Sequence, residues 1–201
     1  MHEFSADADA DAQAAARPPG GPRHSGRRHV SLKEHQVIEA GAAEERFALS
    51  ADVKCPHDGS GSPVRLHGGI LRTRGDRGSE RPPPHWPAGV IVDGDLVIDG
   101  GPDWWEGDGG QYKFLLVTGD LRAHSVHISG CVDVVVRGDL QAADGILGRG
   151  WDDRGSLRVA GPLRAAAVVT TEEFTVMSGS PAEADRRVAI DPRNRGGSWR
   201  S

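Results

Sequence analysis

The chain has 201 residues, a formal net charge of −5 and a pI near 6.0. That length suits one domain with tails, and the acidic balance argues against a dedicated nucleic-acid binder. No apolar run approaches the ~18 residues of a membrane-spanning helix. Glycine, at 28 residues, is about twice its usual share of roughly 7%, which means either disorder or a fold whose turns demand it.

Residues 1–29 pass from Ala/Asp repeats to Pro, Gly and Arg. They offer too little apolar surface to offset the entropy of ordering, so a disordered tail is expected. They lack the apolar stretch of a signal peptide. With the two scattered cysteines, Cys55 and Cys131, this points to a reduced, cytoplasmic setting. Residues 30–88 are expected to be a partly ordered capping and linker region. There Ser31 and Glu34 have capping-box spacing, which predicts a short helix over 31–49, interrupted at Gly41. Further on, residues 73–89 are polar and include Pro82, Pro83 and Pro84, which exclude both helix and central strand.

From Val90 the sequence becomes regular. It aligns on Gly94, Gly119, Gly138 and Gly161. Four positions before these stand Val90, Leu115, Val134 and Leu157; two before stand Val92, Val117, Val136 and Val159. Two after come Leu96, Leu121, Leu140 and Leu163; four after come Ile98, Ala123, Ala142 and Ala165. All sixteen are apolar. Apolar residues at two and four, rather than three and four, mark strands buried on one face. Three after glycine the row is mostly polar: Val97, Arg122, Gln141 and Arg164. Three before, Ile91, Leu116, Val135 and Arg158 make a less clean outward row.

A meander of reversing strands gives no reason for one residue type to recur at one offset. Successive coils do. The glycine spacings of 25, 19 and 23 residues suit units of about 20 that bury their faces only by stacking. The expected fold is therefore all-β: a short parallel β-solenoid of about four to six coils over residues 89–178. Gly is expected at one corner of each coil, for space and for backbone freedom. The following Asp95, Asp120 and Asp139, with Pro162 in the fourth unit, are read as turn residues bonding local amides. Degenerate end rungs are expected at Val64, Leu66 and Gly68, and at Phe174 and Val176 with Ser178 in the glycine position. Residues 179–201 read as a polar, disordered C-terminal tail.

These x-G-D-L coils, with V-x-V before and L-x-A after, resemble uncharacterised bacterial β-solenoid proteins. More loosely they are similar to the bactofilin group of polymer-forming cytoskeletal proteins. The resemblance covers about residues 88–178. It implies a right-handed β-helix core, disordered tails and end-to-end filament assembly without nucleotide. The chain departs from that pattern in its fewer rungs, its polar insertions in two intervals and its long polar N-terminal region.

The insertions span residues 101–113 and 148–155 and should leave the solenoid on one side, about two rungs apart. They carry Asp103, Trp104, Trp105, Glu106 and Asp108, then Trp151, Asp152 and Asp153. Tryptophan beside carboxylates on adjacent loops can stack on a sugar or receive a peptide or cationic partner. The plainer reading is that the indoles fold back over an edge of the core. No EF-hand loop or Ca²⁺-binding repeat is present. His124 and His127 have no Cys or carboxylate at metal spacing, and Cys55 with His57 would need two distant ligands, of which His67 is the nearest choice. No nucleophile elbow, P-loop or dinucleotide fingerprint occurs. A non-catalytic scaffold or protein-interaction module is expected, without cofactor or metal, that binds a protein partner or itself. The alternative is a carbohydrate-binding or carbohydrate-active protein using the insertion tryptophans and acids.

Overall fold

The computed structural model describes residues 29–30, 35–53, 63–74, 89–101, 103–105, 112–150, 155–171, 173–181 and 183–190. In chain order the elements begin with β1 (His29–Val30), β2 (Gln36–Ile38), α1 (Ala40–Phe47) and α2 (Leu49–Asp52). The strands that follow are β3 (Val64–Gly68), β4 (Ile70–Arg74), β5 (Gly89–Asp93), β6 (Leu96–Asp99), β7 (Asp103–Trp105) and β8 (Lys113–Val117). Then come β9 (Leu121–Ser129), β10 (Val132–Val136), β11 (Leu140–Arg149), β12 (Ser156–Val159), β13 (Leu163–Thr171), β14 (Thr175–Ser178) and β15 (Glu183–Ile190).

The chain winds in one sense, as a parallel β-solenoid. One sheet runs β14-β12-β10-β8-β5-β3-β2, the other β1-β4-β6-β9-β11-β13-β15, with β7 also paired to β9. Among the described residues every pairing is parallel except β2 with β3. The first sheet is one face of the coil. In the other, the long strands β9, β11 and β13 each run over two faces, their first residues on a second face and their last on a third, while beside β6 the third face is the separate strand β7. Four central coils carry a further strand pair at each end.

The four inward columns stack as the alternation requires. Val92, Val117, Val136 and Val159 are in register, as are Val90, Leu115, Val134 and Leu157. Across the corner, Leu96, Leu121, Leu140 and Leu163 align, and so do Ile98, Ala123, Ala142 and Ala165. Past the bend, Val126, Ile146 and Val168 form the next inward column, and all three are buried. Together these columns make one core along the axis.

Of the two causes expected for glycine at the corner, space holds throughout and backbone freedom at one position only. Of the four repeat glycines only Gly94 has a positive φ, 147°. Gly119, Gly138 and Gly161 are there because the coils approach too closely for a side chain. Each donates its N–H to the glycine carbonyl of the preceding coil, at 2.9, 3.0 and 3.1 Å respectively. A Cβ on Gly138 would lie 2.7 Å from the carbonyl carbon and oxygen of Gly119, and closer still to Asp120 Oδ1. The aspartates differ from expectation, since they bond between coils rather than locally. Asp95 Oδ1 accepts from the Asp120 N–H at 3.1 Å, and Asp120 Oδ1 from the Asp139 N–H at 3.0 Å. Pro162 has no N–H, so this ladder stops at Asp139.

The end rungs shift register. In the first coil His67, not Leu66, pairs with Val92, and Gly69 rather than Gly68 lies against Gly94. Val64 and Leu66 therefore face outward. In the last coil Val176 pairs with Leu157 and Ser178 with Val159, so Ser178 continues the valine column instead of the glycine row. Arg164 pairs with Glu183, the same offset, which gives Ser180 the glycine position. Phe174 sits before this rung, its ring filling the space over Gly148. The strand β15 thus adds a rung where polarity predicted a tail.

The untidy outward row on the first face also has a cause. Leu66, Ile91, Leu116 and Val135 are covered by α1 and α2, whose Ala43, Phe47 and Leu49 complete a second core with Val53, Val64 and Phe114. Ser31 and Glu34 lie outside the described residues. The helix starts only at Ala40, Gly41 lies within it, and Gln36–Ile38 is a strand. Where the row turns polar, arginines hold the helices. Arg137 Nε donates to Asp52 Oδ2 at 2.9 Å and its Nη2 to the Phe47 carbonyl; Arg158 Nη1 donates to the Asp52 carbonyl at 2.9 Å.

Candidate functional site

The third face is the broad flank of the coil that no described segment covers. Its outward column runs Asp103, His127, Leu147, Val169 and Val188, each in register with the next. Leu147 is 41% exposed and Val188 40%, with half-buried Val169 between them. At a strand spacing of ~4.8 Å, these three make one apolar stripe. The neighbouring outward-phase column pairs Trp105 with Ser129 and Ser129 with Arg149; Ser129 is nevertheless buried, and Arg149 exposed.

The insertion residues fall partly here. Asp103, Trp104 and Trp105 do not leave the coil; they form β7, the third-face strand of their own coil. Trp104 is in register with Ile128, which is fully buried. Trp105 pairs with Ser129 in the outward row. Asp108, Trp151, Asp152 and Asp153 lie outside the described residues, as do Glu106, Cys55 and His57. The first insertion contains β7 and the second begins in the last two residues of β11, two coils apart at the same edge of the third face. Ahead of the second insertion, β11 carries a bulge. Ile146 follows Ala142 by four residues where Val126 follows Ala123 by three, and the register shifts there.

Two polar clusters elsewhere are structural. Asp133 is fully buried on the outer side of the first face, accepting from Ser156 Oγ at 2.6 Å and from the Tyr112 hydroxyl. The two hydroxyls engage both oxygens of this buried carboxylate. At the first coil, His35, Gln36, Arg46, Leu66, Gly68 and Asp93 line an open groove, where Arg46 pairs with Asp93 at 2.6 Å. Both partners are partly exposed, so the pair contributes little. Among the described residues no group of three or more His, Cys, Asp or Glu is placed to hold a metal ion, and no helix is long and apolar enough to cross a membrane.

Sequence reasoning missed the Leu147–Val169–Val188 stripe. Its signal was there in the apolar residues adjoining Ile146 and Val168, but only the bend decides which of two adjacent apolar residues faces out. What fold and surface define, among the described residues, is a short β-solenoid with one helix-covered face and another that carries an exposed apolar stripe. No family model, curated protein or solved structure matches the chain.

Proposed function

We propose that the protein is a non-catalytic scaffold that docks a protein partner on the third face of its solenoid. The in-register stripe of Leu147, Val169 and Val188 carries this reading. Two of the four exposed large apolar residues among those described, Leu147 and Val188, fall in that one column, and contiguous apolar surface on a rigid sheet marks a contact site. The partner suited to it presents its own apolar strip and seats sheet on sheet. The proposed setting is the cytoplasm, on the scattered cysteines. Bactofilin-like assembly belongs to the proposal only through the x-G-D-L coils. A double substitution, Leu147→Glu with Val169→Glu, tests it. The expected result is that partners crosslinked to the wild-type chain are lost while the melting temperature is kept. A folded double variant that recovers the same partners would rule the face out.

A second reading, carbohydrate binding, is favoured by one observation. The strand β7 brings the Trp105 position into the outward row of the same face. Binding of the wild-type chain to a glycan array, lost in Trp105→Ala, is its expected sign; an array without signal refutes it.

A further inference from the structure

The third face is built differently on the two sides of its apolar stripe. Towards the bend, the outward-phase positions of β9, β11 and β13 hold small residues, Ser125, Gly145 and Ala167. Next to Gly145 stands Asp144, an exposed residue of the β11 bulge. On the far side of the stripe the same strands carry Ser129, Arg149 and Thr171. Arg149 is exposed, and among the described residues it has no ion-pair partner. Leu147 lies midway. At ~3.3 Å per residue, Arg149 stands about 7 Å to one side of it and Gly145 about 7 Å to the other, with Asp144 one residue further out. A base on one flank thus mirrors an acid on the other, and longer side chains mirror shorter ones.

We propose that the third face binds a second copy of the chain, face to face, about a two-fold axis that runs parallel to the coil axis over the stripe. The inference rests on the docking role proposed for this face and names the partner. Such an axis keeps every rung level with its own copy and reverses the strand direction, so the two sheets pack aligned, ~10 Å apart. Leu147, Val169 and Val188 each meet their own counterpart. Arg149 comes over Gly145 of the second copy, where no side chain stands in its way, and beside Asp144 of that copy. The symmetry makes this charge pair twice. Thr171 comes over Ala167 in the same manner. The alternative two-fold, along the strands, sets each flank against itself, and the flank of Arg149 offers only Ser129, Thr171 and Ile190, with no acid. A face four rungs tall and five residues wide covers roughly 300 Å² per copy, below the ~800 Å² of a standard interface. The dimer is therefore weak and forms at high concentration. Charge complementarity fixes its orientation more than its strength.

The test uses the full chain. Light scattering over a concentration series is expected to rise from the 21.3 kDa chain mass towards twice that value and no further. Arg149→Asp alone, or Asp144→Arg alone, is expected to weaken association roughly tenfold, because two exposed pairs are lost together. The double reversal, Arg149→Asp with Asp144→Arg, is expected to restore it. Leu147→Cys should crosslink to its own counterpart under mild oxidation, well above the wild-type background. Val37→Cys, 61% exposed on β2, should not. A wild-type chain that stays monomeric up to about 1 mM, grows into filaments, or dimerises without rescue by the double reversal overturns the proposal. If a charge variant fails to fold, the two cysteine variants decide, and equal crosslinking through both sinks it. A monomeric chain whose Leu147→Glu, Val169→Glu variant still loses a different crosslinked protein rejects the second copy and keeps the docking face.

Discussion

Replacing Gly138 by alanine tests the reasoning behind the whole repeat. In an unstrained site Gly→Ala stabilises by about 0.4–1 kcal/mol through the unfolded chain. Here the new methyl would meet Gly119 C and O at 2.7 Å, and Asp120 Oδ1 more closely still. The Gly119 carbonyl is backbone and already accepts from the Gly138 N–H at 3.0 Å, so it cannot move without opening the ladder. Overpacking of this kind costs about 1–3 kcal/mol. Pushing Asp120 away also removes its bond to the Asp139 N–H, and hydrogen bonds to charged groups contribute about 1.5–3 kcal/mol. The clash outweighs the entropy gain, and a net loss of about 2–5 kcal/mol is expected. For a chain of this size that is a drop of roughly 10 °C in melting temperature, followed by circular dichroism. The geometry also ranks related variants. Gly161→Ala should cost less, because Pro162 gives Asp139 no N–H to hold it and that carboxylate can swing aside. In an Asp120→Ala background, Gly138→Ala should cost about 1–2 kcal/mol less than in the wild type, a coupling expected of groups in contact. Gly41→Ala, with open space in α1, should be neutral or stabilising. If Gly138→Ala melts with the wild type, close stacking is not what selects glycine at the corner.

Two further outcomes follow from contacts between elements. Arg137→Met should cost about 1–2 kcal/mol, since it leaves the Phe47 carbonyl and the one-third-exposed Asp52 without their donor; hydrogen exchange should show α1 and α2 losing protection before the coils, and uniform protection would refute the anchoring role. Ser156→Ala should destabilise by about 1.5–3 kcal/mol in urea melts, because the buried Asp133 loses one of its two hydroxyl donors; a variant as stable as the wild type would show that the carboxylate finds another.

The sequence by itself determined the central coils. Sixteen apolar residues at fixed offsets from four glycines left only one arrangement in which like stacks on like, because a one-residue slip would turn every strand inside out. Tertiary structure decided the rest. Ile91, Leu116 and Val135 blurred the alternation because α1 and α2 cover them, and nothing local in GVIVD or VDVVV says which partner lies outside. The end rungs were misregistered for the same reason: His67 and Ser178 are polar residues in inward columns, tolerated where the core runs out. Corner glycine was legible as a pattern, and so was its need for space, but not which atoms take that space. Three of the four need no special φ, and the atoms that exclude a side chain belong to a coil about twenty residues earlier in the chain. The bare stripe on the third face depends on a bend that inserts one residue in one coil and none in the next, so the side each apolar residue faces is fixed by its neighbours in space.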